Sequence, residues 1–212
     1  MKLKHWMTRN PITVGPDDSL IDASRIMKAN RLRRLPVVDK DKLVGMITYR
    51  NVIEASPSAA TSLSVHELNY LIANLKVKDV MTKSLVTVDP DESAIDVILM
   101  GAAKGIGAFP VLKDQRLVGI VTEAEIVNMA IAMFGDPAEN SIICVEGVRL
   151  RSRVGQLANI TSIIAAENVP VMGVFSIPHR DNPGHRVYIR LATKSPEGVI
   201  KALEEKGYKV GD

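Results

Sequence analysis

Apolar positions set two rhythms along the chain. From Met7 to Phe134, short apolar runs alternate with helical spacings. Leu35–Val38 and Val44–Thr48 read as strands separated by Asp-Lys turn residues. Ahead of them, Leu20, Ala23, Ile26 and Met27 fall at the spacing of one buried helix face, predicting a helix over Leu20–Ala29. A short extended piece, Ile12–Val14, precedes it, and Asp17-Asp18-Ser19 supplies acids and a cap at the helix start. The strand Val44–Thr48 ends on a Thr, after which a second helix begins. The unit is therefore β-α-β-β-α.

The same unit occurs twice. Shifting the chain by 74 residues aligns Met7–Glu54 with Met81–Asn128 without a gap, and 16 of the 48 positions are identical. The identities include Met7-Thr8 with Met81-Thr82, Pro16-Asp17 with Pro90-Asp91, and Leu43-Val44-Gly45 with Leu117-Val118-Gly119. The second copy predicts a strand at Val86–Val88 and a helix over Ala94–Ala103. One such copy has a marginal core, so the two are expected to pack as one body. The join ASPSAATSLS is small and polar, and Ser64-Val-His-Glu67 reads as a capping box for a helix running to about Leu75. His66 in that turn reads as a solvated surface residue.

Beyond Gly135-Asp136-Pro137, a helix stop, the rhythm changes. Ser141–Val148 reads as a strand and Gly155–Glu167 as a helix with Leu157, Ile160, Ile163 and Ile164 on one side. Val171–Ile177 and Arg186–Thr193 are strands around a turn at Arg180–Gly184. Pro196–Lys206 is a helix and Tyr208–Val210 a last strand. This β-α-β-β-α-β order is ferredoxin-like. The fold class is α/β (α+β), partitioned as 1–60, a 61–75 linker helix, 76–135 and 140–212.

Composition narrows the function classes. Apolar residues make up 46% of the 212, but aromatics only 4%, so the core is aliphatic. The net charge of +3, from 27 basic and 24 acidic residues, is mild and interspersed; it does not by itself argue for nucleic acid. Cys144 is the single cysteine, which excludes an internal disulfide and a Cys-based zinc site. The N-terminus has no apolar signal-type region and no apolar run approaches ~18 residues. A cytoplasmic protein without a membrane partner is expected. His5, His66, His179 and His185 join no nucleophile constellation or metal-ligand spacing, and there is no Walker-type or GxGxxG phosphate loop. A non-enzyme without a metal is expected.

The candidate chemistry lies where the strands ending in Thr48 and Thr122 meet their helices. A Thr at a helix N-cap accepts from a first-turn amide. The surrounding N–H groups and the positive dipole end suit a phosphate or carboxylate. Residues before each repeated proline differ between copies: Asn30-Arg-Leu-Arg-Arg-Leu-Pro36 is cationic, whereas Lys104-Gly-Ile-Gly-Ala-Phe-Pro110 is roomy and apolar. If these segments line clefts, Arg31, Arg33 and Arg34 suit a polyphosphate, and the second segment an uncharged or singly charged compound. The other reading makes the arginines a solvated face or pairs them with a partner's acids.

These features resemble two families in tandem. MTRNPITVGPDDSL, RRLPVVD and GMIT, with MTKSLVTVDPDESA, FPVLKD and GIVT, resemble a pair of CBS (cystathionine-β-synthase-type) domains, the adenine-nucleotide-sensing Bateman module. Ser152-Arg-Val-Gly155-Gln-Leu157 and Glu167-Asn-Val-Pro170 resemble an ACT regulatory domain. The whole order is similar to the acetoin-utilisation-type CBS–ACT proteins. The CBS resemblance implies a regulatory ligand such as AMP, ADP, ATP, NAD or S-adenosylmethionine. Its expected contacts are Thr13, Arg33, Arg34, Leu35, Pro36, Thr48 and Asn51 in the first copy. In the second copy they are Thr87, Phe109, Pro110, Thr122 and Glu125. The family's ribose-binding Asp is Asn51 in one copy and Glu125 in the other. Asn51 is a neutral donor–acceptor. Glu125 completes Thr-x-x-Glu, so a ribose contact and a capping box both stand as readings. Phe109 reads as an adenine-stacking ring or as core.

The ACT resemblance implies an effector such as an amino acid near Gly155, or homodimerisation alone; the usual Pro before that Gly is Val154. Cys144 reads as a small buried hydrophobe. The expected function is a ligand sensor, with a constitutive dimeric scaffold as the alternative.

Overall fold

A computed structural model describes residues 1–55, 74–135, 138, 140–179 and 183–211. The expected capping box at Ser64–Glu67, with His66, and the tip of the Arg180–Gly184 turn lie outside the described residues. The chain divides into two compact units, Met1–Val127 and Asn128–Asp212.

The first unit holds both repeat copies. In copy one, helix α1 (Leu20–Ala29) precedes the hairpin β2 (Arg34–Asp39) and β3 (Lys42–Thr48), and then helix α2 (Tyr49–Ala55). Ser19 caps α1 by accepting from the Ile21 amide at 3.2 Å. In copy two, the short helix α3 (Val77–Val80) leads to α4 (Ala94–Lys104), the hairpin β4 (Ala108–Lys113) and β5 (Arg116–Thr122), and helix α5 (Glu123–Phe134). The predicted extended pieces add one bridge each: Val14 pairs parallel with Val37, and Val88 with Val111. Leu20, Ala23 and Met27 are buried with Leu35, Val37 and Ile47 in one apolar cluster, as the helical spacing predicts.

The copies interlock by exchanging their leading segments. Strand β1 (Thr8–Arg9) of copy one pairs antiparallel with β5 of copy two, Thr8 opposite Ile120. In return Thr82 pairs with Met46 of copy one, through two backbone bonds of 2.9 Å. The exchange extends upstream. The Leu3 amide donates to the Glu92 carbonyl at 3.0 Å, and the Val77 amide donates to the Asp18 carbonyl at 3.0 Å. Lys4 pairs with Asp91 at 2.7 Å and Lys78 with Asp17 at 2.6 Å. These hydrogen-bonded ammonium groups hold both carboxyls below the usual carboxylate range.

Glycine is required where the exchanged segments touch. A Cβ on Gly45 would stand 2.6 Å from the Met81 Sδ and 3.0 Å from the Thr82 carbonyl oxygen. On Gly119 it would stand 2.7 Å from the Met7 Sδ and 3.0 Å from the Thr8 carbonyl oxygen. The repeated Gly and the repeated Met-Thr are thus two halves of one contact.

The second unit is a four-stranded antiparallel sheet, β6 (Ser141–Val148), β7 (Val171–Pro178), β8 (His185–Leu191) and β9 (Lys209–Gly211). Its order is β7-β8-β6-β9, with helices α6 (Gln156–Ala166) and α7 (Glu197–Glu205). This is the predicted β-α-β-β-α-β arrangement. Ile160, Ile164, Val199 and Leu203 pack on Ile143, Val145, Val187 and Ile189. Cys144 is buried, and burial pushes its thiol pKa up. Leu157 is half-exposed rather than core. Among the described residues, no helix is long and apolar enough to cross a membrane.

Gly119→Ala, and equally Gly45→Ala, should destabilise the chain by about 1–3 kcal/mol in urea unfolding, the usual cost of overpacking. The paired carboxyls set a second expectation. A depressed carboxyl adds stability that is present above its unfolded pKa and disappears as pH falls through its lower folded value. The stability difference between wild type and Asp91→Asn should therefore shrink as pH is lowered below the ordinary value of 3.8.

Candidate ligand cleft

The exchange brings the arginines of one copy to the threonine of the other. A cleft of about 610 Å³ is lined by Thr8, Asn10, Pro11 and Ile12 and by Asn30 to Arg34 with Pro36, all from copy one. Copy two contributes Ile120, Thr122 to Glu125, and Val127. Arg33 and Arg34 were expected beside Thr48 and Asn51. They instead line the cleft with Thr122 and Glu125, because each copy's leading segment crosses to its neighbour.

Arg31 is placed there at a backbone cost. Its φ is +55°, at the residue after the cap of α1, where glycine is usual. The Arg31 amide bonds the Lys28 carbonyl and the Leu32 amide the Met27 carbonyl, at 3.3 and 2.8 Å. The equivalent residue in copy two is Gly105, with φ +66°. A left-handed non-glycine residue costs roughly 1–2 kcal/mol, and such strain concentrates at functional sites. Arg34 is half-buried and pairs loosely with Glu123 at 4.0 Å.

Both ribose-position residues fold back on their own threonines. Glu125 Oε2 accepts from the Thr122 amide at 2.8 Å and the Thr122 hydroxyl at 2.6 Å, the capping-box reading. Its Oε1 accepts from the Thr8 hydroxyl of copy one at 2.6 Å. Partial burial opposes the charge on Glu125. The bonds from Thr122 and Thr8 outweigh it and hold the carboxyl below the usual range. In copy one, Asn51 Oδ1 accepts from the Thr48 amide and hydroxyl at 2.9 and 2.7 Å, and the Thr48 Oγ1 accepts from the Asn51 amide at 3.2 Å. Thr122 Oγ1 likewise accepts from the Ala124 amide at 3.2 Å. Both threonines are N-caps, as expected.

Other expected contacts do not face this cleft. Leu35 is fully buried in the core, on the face of β2 opposite Arg34 and Pro36, which line the cleft, and Pro110 is buried and lines neither cavity. Thr13 and Thr87 are exposed and line neither cavity described here. Phe109 is buried, its ring against Gly101 on α4, and lines a separate cavity within copy two. Gly155 opens α6 with φ +85° and nothing within 4 Å of a built Cβ, so its conformation rather than a close approach calls for glycine. The lining residues Thr8, Asn10, Ile12 and Ile120 were missed. The repeated Met7-Thr8 was the available signal, but its crossing to the other copy is a tertiary fact. No group of three or more His, Cys, Asp or Glu among the described residues is arranged to hold a metal ion.

The family model for the CBS domain matches residues 3–58 and 77–131, just over half of the chain. The chain belongs to the CBS-domain family. It is 34% identical over 129 residues to the inosine-5'-monophosphate dehydrogenase of Methanocaldococcus jannaschii, covering 60% of this chain but 23% of that enzyme. The chain thus spans about a quarter of that relative. A putative acetoin utilization protein (AcuB) from Vibrio cholerae superposes with a TM-score of 0.54 at 28% identity, covering 62% of this chain and 91% of that one. The structure of CBSX2 in complex with AMP superposes with a TM-score of 0.52 at 25% identity, covering 62% and 96%. The neighbouring CBS pair of protein MJ0100 is in complex with 5'-methylthioadenosine and S-adenosyl-L-methionine, so two of these neighbours hold adenosine compounds.

Replacing Arg31 by Gly should raise stability by about 1 kcal/mol, read as a higher urea midpoint. Glu125→Gln should lower stability at neutral pH, with the difference fading as pH falls below the ordinary value of 4.5. The sign follows from the depressed carboxyl, whose contribution exists only while it is ionised.

Proposed function

We propose that this protein is a non-catalytic sensor of an adenine nucleotide, bound in the cleft between the two CBS copies. The observation that carries this reading is the juxtaposition of Arg31, Arg33 and Arg34 from one copy with the Thr122–Glu125 turn of the other. The arginines and Thr122 receive the phosphates, since guanidinium groups bind phosphate through paired charged hydrogen bonds. Glu125 exchanges its bonds to Thr8 and Thr122 for the ribose hydroxyls. The apolar wall of Ile12, Pro36, Ile120 and Val127 takes the base. The AMP complex of CBSX2 supports the ligand class. A charged cleft favours ADP or ATP over S-adenosylmethionine, which brings a cation.

The Asn128–Asp212 unit enters this reading as an ACT domain that passes the signal to a second effector or pairs two chains. Its ferredoxin-like strand order and the left-handed Gly155 at the start of α6 support that reading. Light scattering with and without an amino-acid panel tests it; a monomer indifferent to every amino acid would remove it.

The sensor is tested by thermal shift with AMP, ADP, ATP, NAD and S-adenosylmethionine, because a ligand of the folded state raises the melting temperature. ATP or ADP should give the largest shift. Arg33→Ala should weaken that binding about tenfold, the loss expected for one charged hydrogen bond. Thr122→Val should weaken it more than Thr48→Val. Absence of a shift with all five would leave the constitutive scaffold as the better reading.

A further inference from the structure

We infer a second, apolar ligand site inside copy two, beside the nucleotide cleft and sharing Thr122 and Glu123 with it. A cavity of about 350 Å³ lies between α4, the hairpin strands β4 and β5, and the start of α5. Its wall is Val97, Ile98, Ala102, Ile106, Phe109 and Ile126, with Gly101, Gly105 and Gly107. Thr122 and Glu123 are its polar residues.

The repeat shows how the space arises. At the 74-residue shift, copy one carries Met27, Arg31 and Arg33 where copy two carries Gly101, Gly105 and Gly107. Met27 is fully buried and fills the core of its own copy. In copy two the Phe109 ring, which replaces Leu35, reaches Gly101 and recovers only part of that volume. Two further changes make the wall apolar: Ser24 becomes Ile98, and Lys28 becomes Ala102. Five side chains are therefore removed or made apolar around one space, while the strands and helix caps that frame it are kept.

Chemistry defines the ligand. A cavity of about 150 Å³ lined by apolar side chains takes up benzene, and this one is larger. At the roughly 30 Å³ that a water occupies in the liquid, it has room for about ten heavy atoms. None of the lining residues is cationic; the nearest guanidinium, that of Arg34, lies beside Gly107 and is already paired with Glu123. The site fits a small uncharged aromatic or branched apolar molecule with one hydrogen-bond donor, which Glu123 or Thr122 accepts at the mouth.

Indole is the probe, added to the full chain. The expected result is a rise of about 2–4 °C in melting temperature at some five times its Kd, with methyl NMR shifts confined to Val97, Ile98, Val121 and Ile126. Ala102→Phe, which fills the space from an exposed helix position, should abolish both. Gly105→Arg, which restores the copy-one residue at a φ that Arg31 already adopts, should weaken both by narrowing the mouth. No shift up to the solubility limit of indole would overturn the inference. So would a shift that persists in Ala102→Phe, or methyl shifts at Ile12 and Ile120, which would put indole in the nucleotide cleft. Arg33→Ala should leave indole binding unchanged, so failure here is distinct from failure of the sensor.

Discussion

The structure of the first unit depends on a reciprocal exchange of backbone between its two copies. Each copy sends its leading Met-Thr segment to the last hairpin strand of the other, where a glycine leaves room for a sulfur and a carbonyl oxygen. One copy alone would leave the Leu3 or Val77 anchor without its docking site and a strand edge unpaired. The exchange supplies the missing burial and closes the edge. It also explains why identity between the copies concentrates where it does. Met-Thr, Pro-Asp and Leu-Val-Gly are the residues on either side of the exchanged contacts, including the matched pairs Lys4–Asp91 and Lys78–Asp17.

From that exchange follows the make-up of the cleft. The Thr122-capped helix start of copy two faces the loop after the first helix of copy one, so this cleft mixes the two sequences. Copy one carries cationic side chains in that loop, one of them in a strained left-handed conformation, while copy two is glycine-rich there. Two chemically different spaces result from one duplicated frame. The arginine-lined space suits phosphate, and the glycine-lined space suits an apolar group.

Local signals were legible in the sequence. Ser19 and the Leu20, Ala23, Met27 spacing mark α1 because capping and helical periodicity act within a few residues. The ferredoxin-like order of the second unit was readable from its alternating runs. The threonine caps were also readable, because the hydroxyl and its amide lie within one turn. What the sequence hid was pairing at a distance. Arg33 and Thr48 are close in sequence and were grouped together, yet the exchange assigns Arg33 to Thr122. Leu35 looked like a cleft residue because it adjoins Arg34, but alternation along β2 sends it into the core. Glu125 was open between a cap and a ribose contact. Only the structure shows that it caps Thr122 and also reaches Thr8 of the other copy.

The most direct measurement is a crystal structure of the chain grown with ADP. The account predicts ADP in the cleft between the copies, its phosphates within hydrogen-bond distance of Thr122 and of Arg31, Arg33 or Arg34. Glu125 should have turned from the Thr8 hydroxyl to the ribose. ADP bound instead beside Thr48 and Asn51 alone, with the arginines facing solvent, would contradict the assignment. A cleft that stays empty at saturating ADP would contradict the sensor itself.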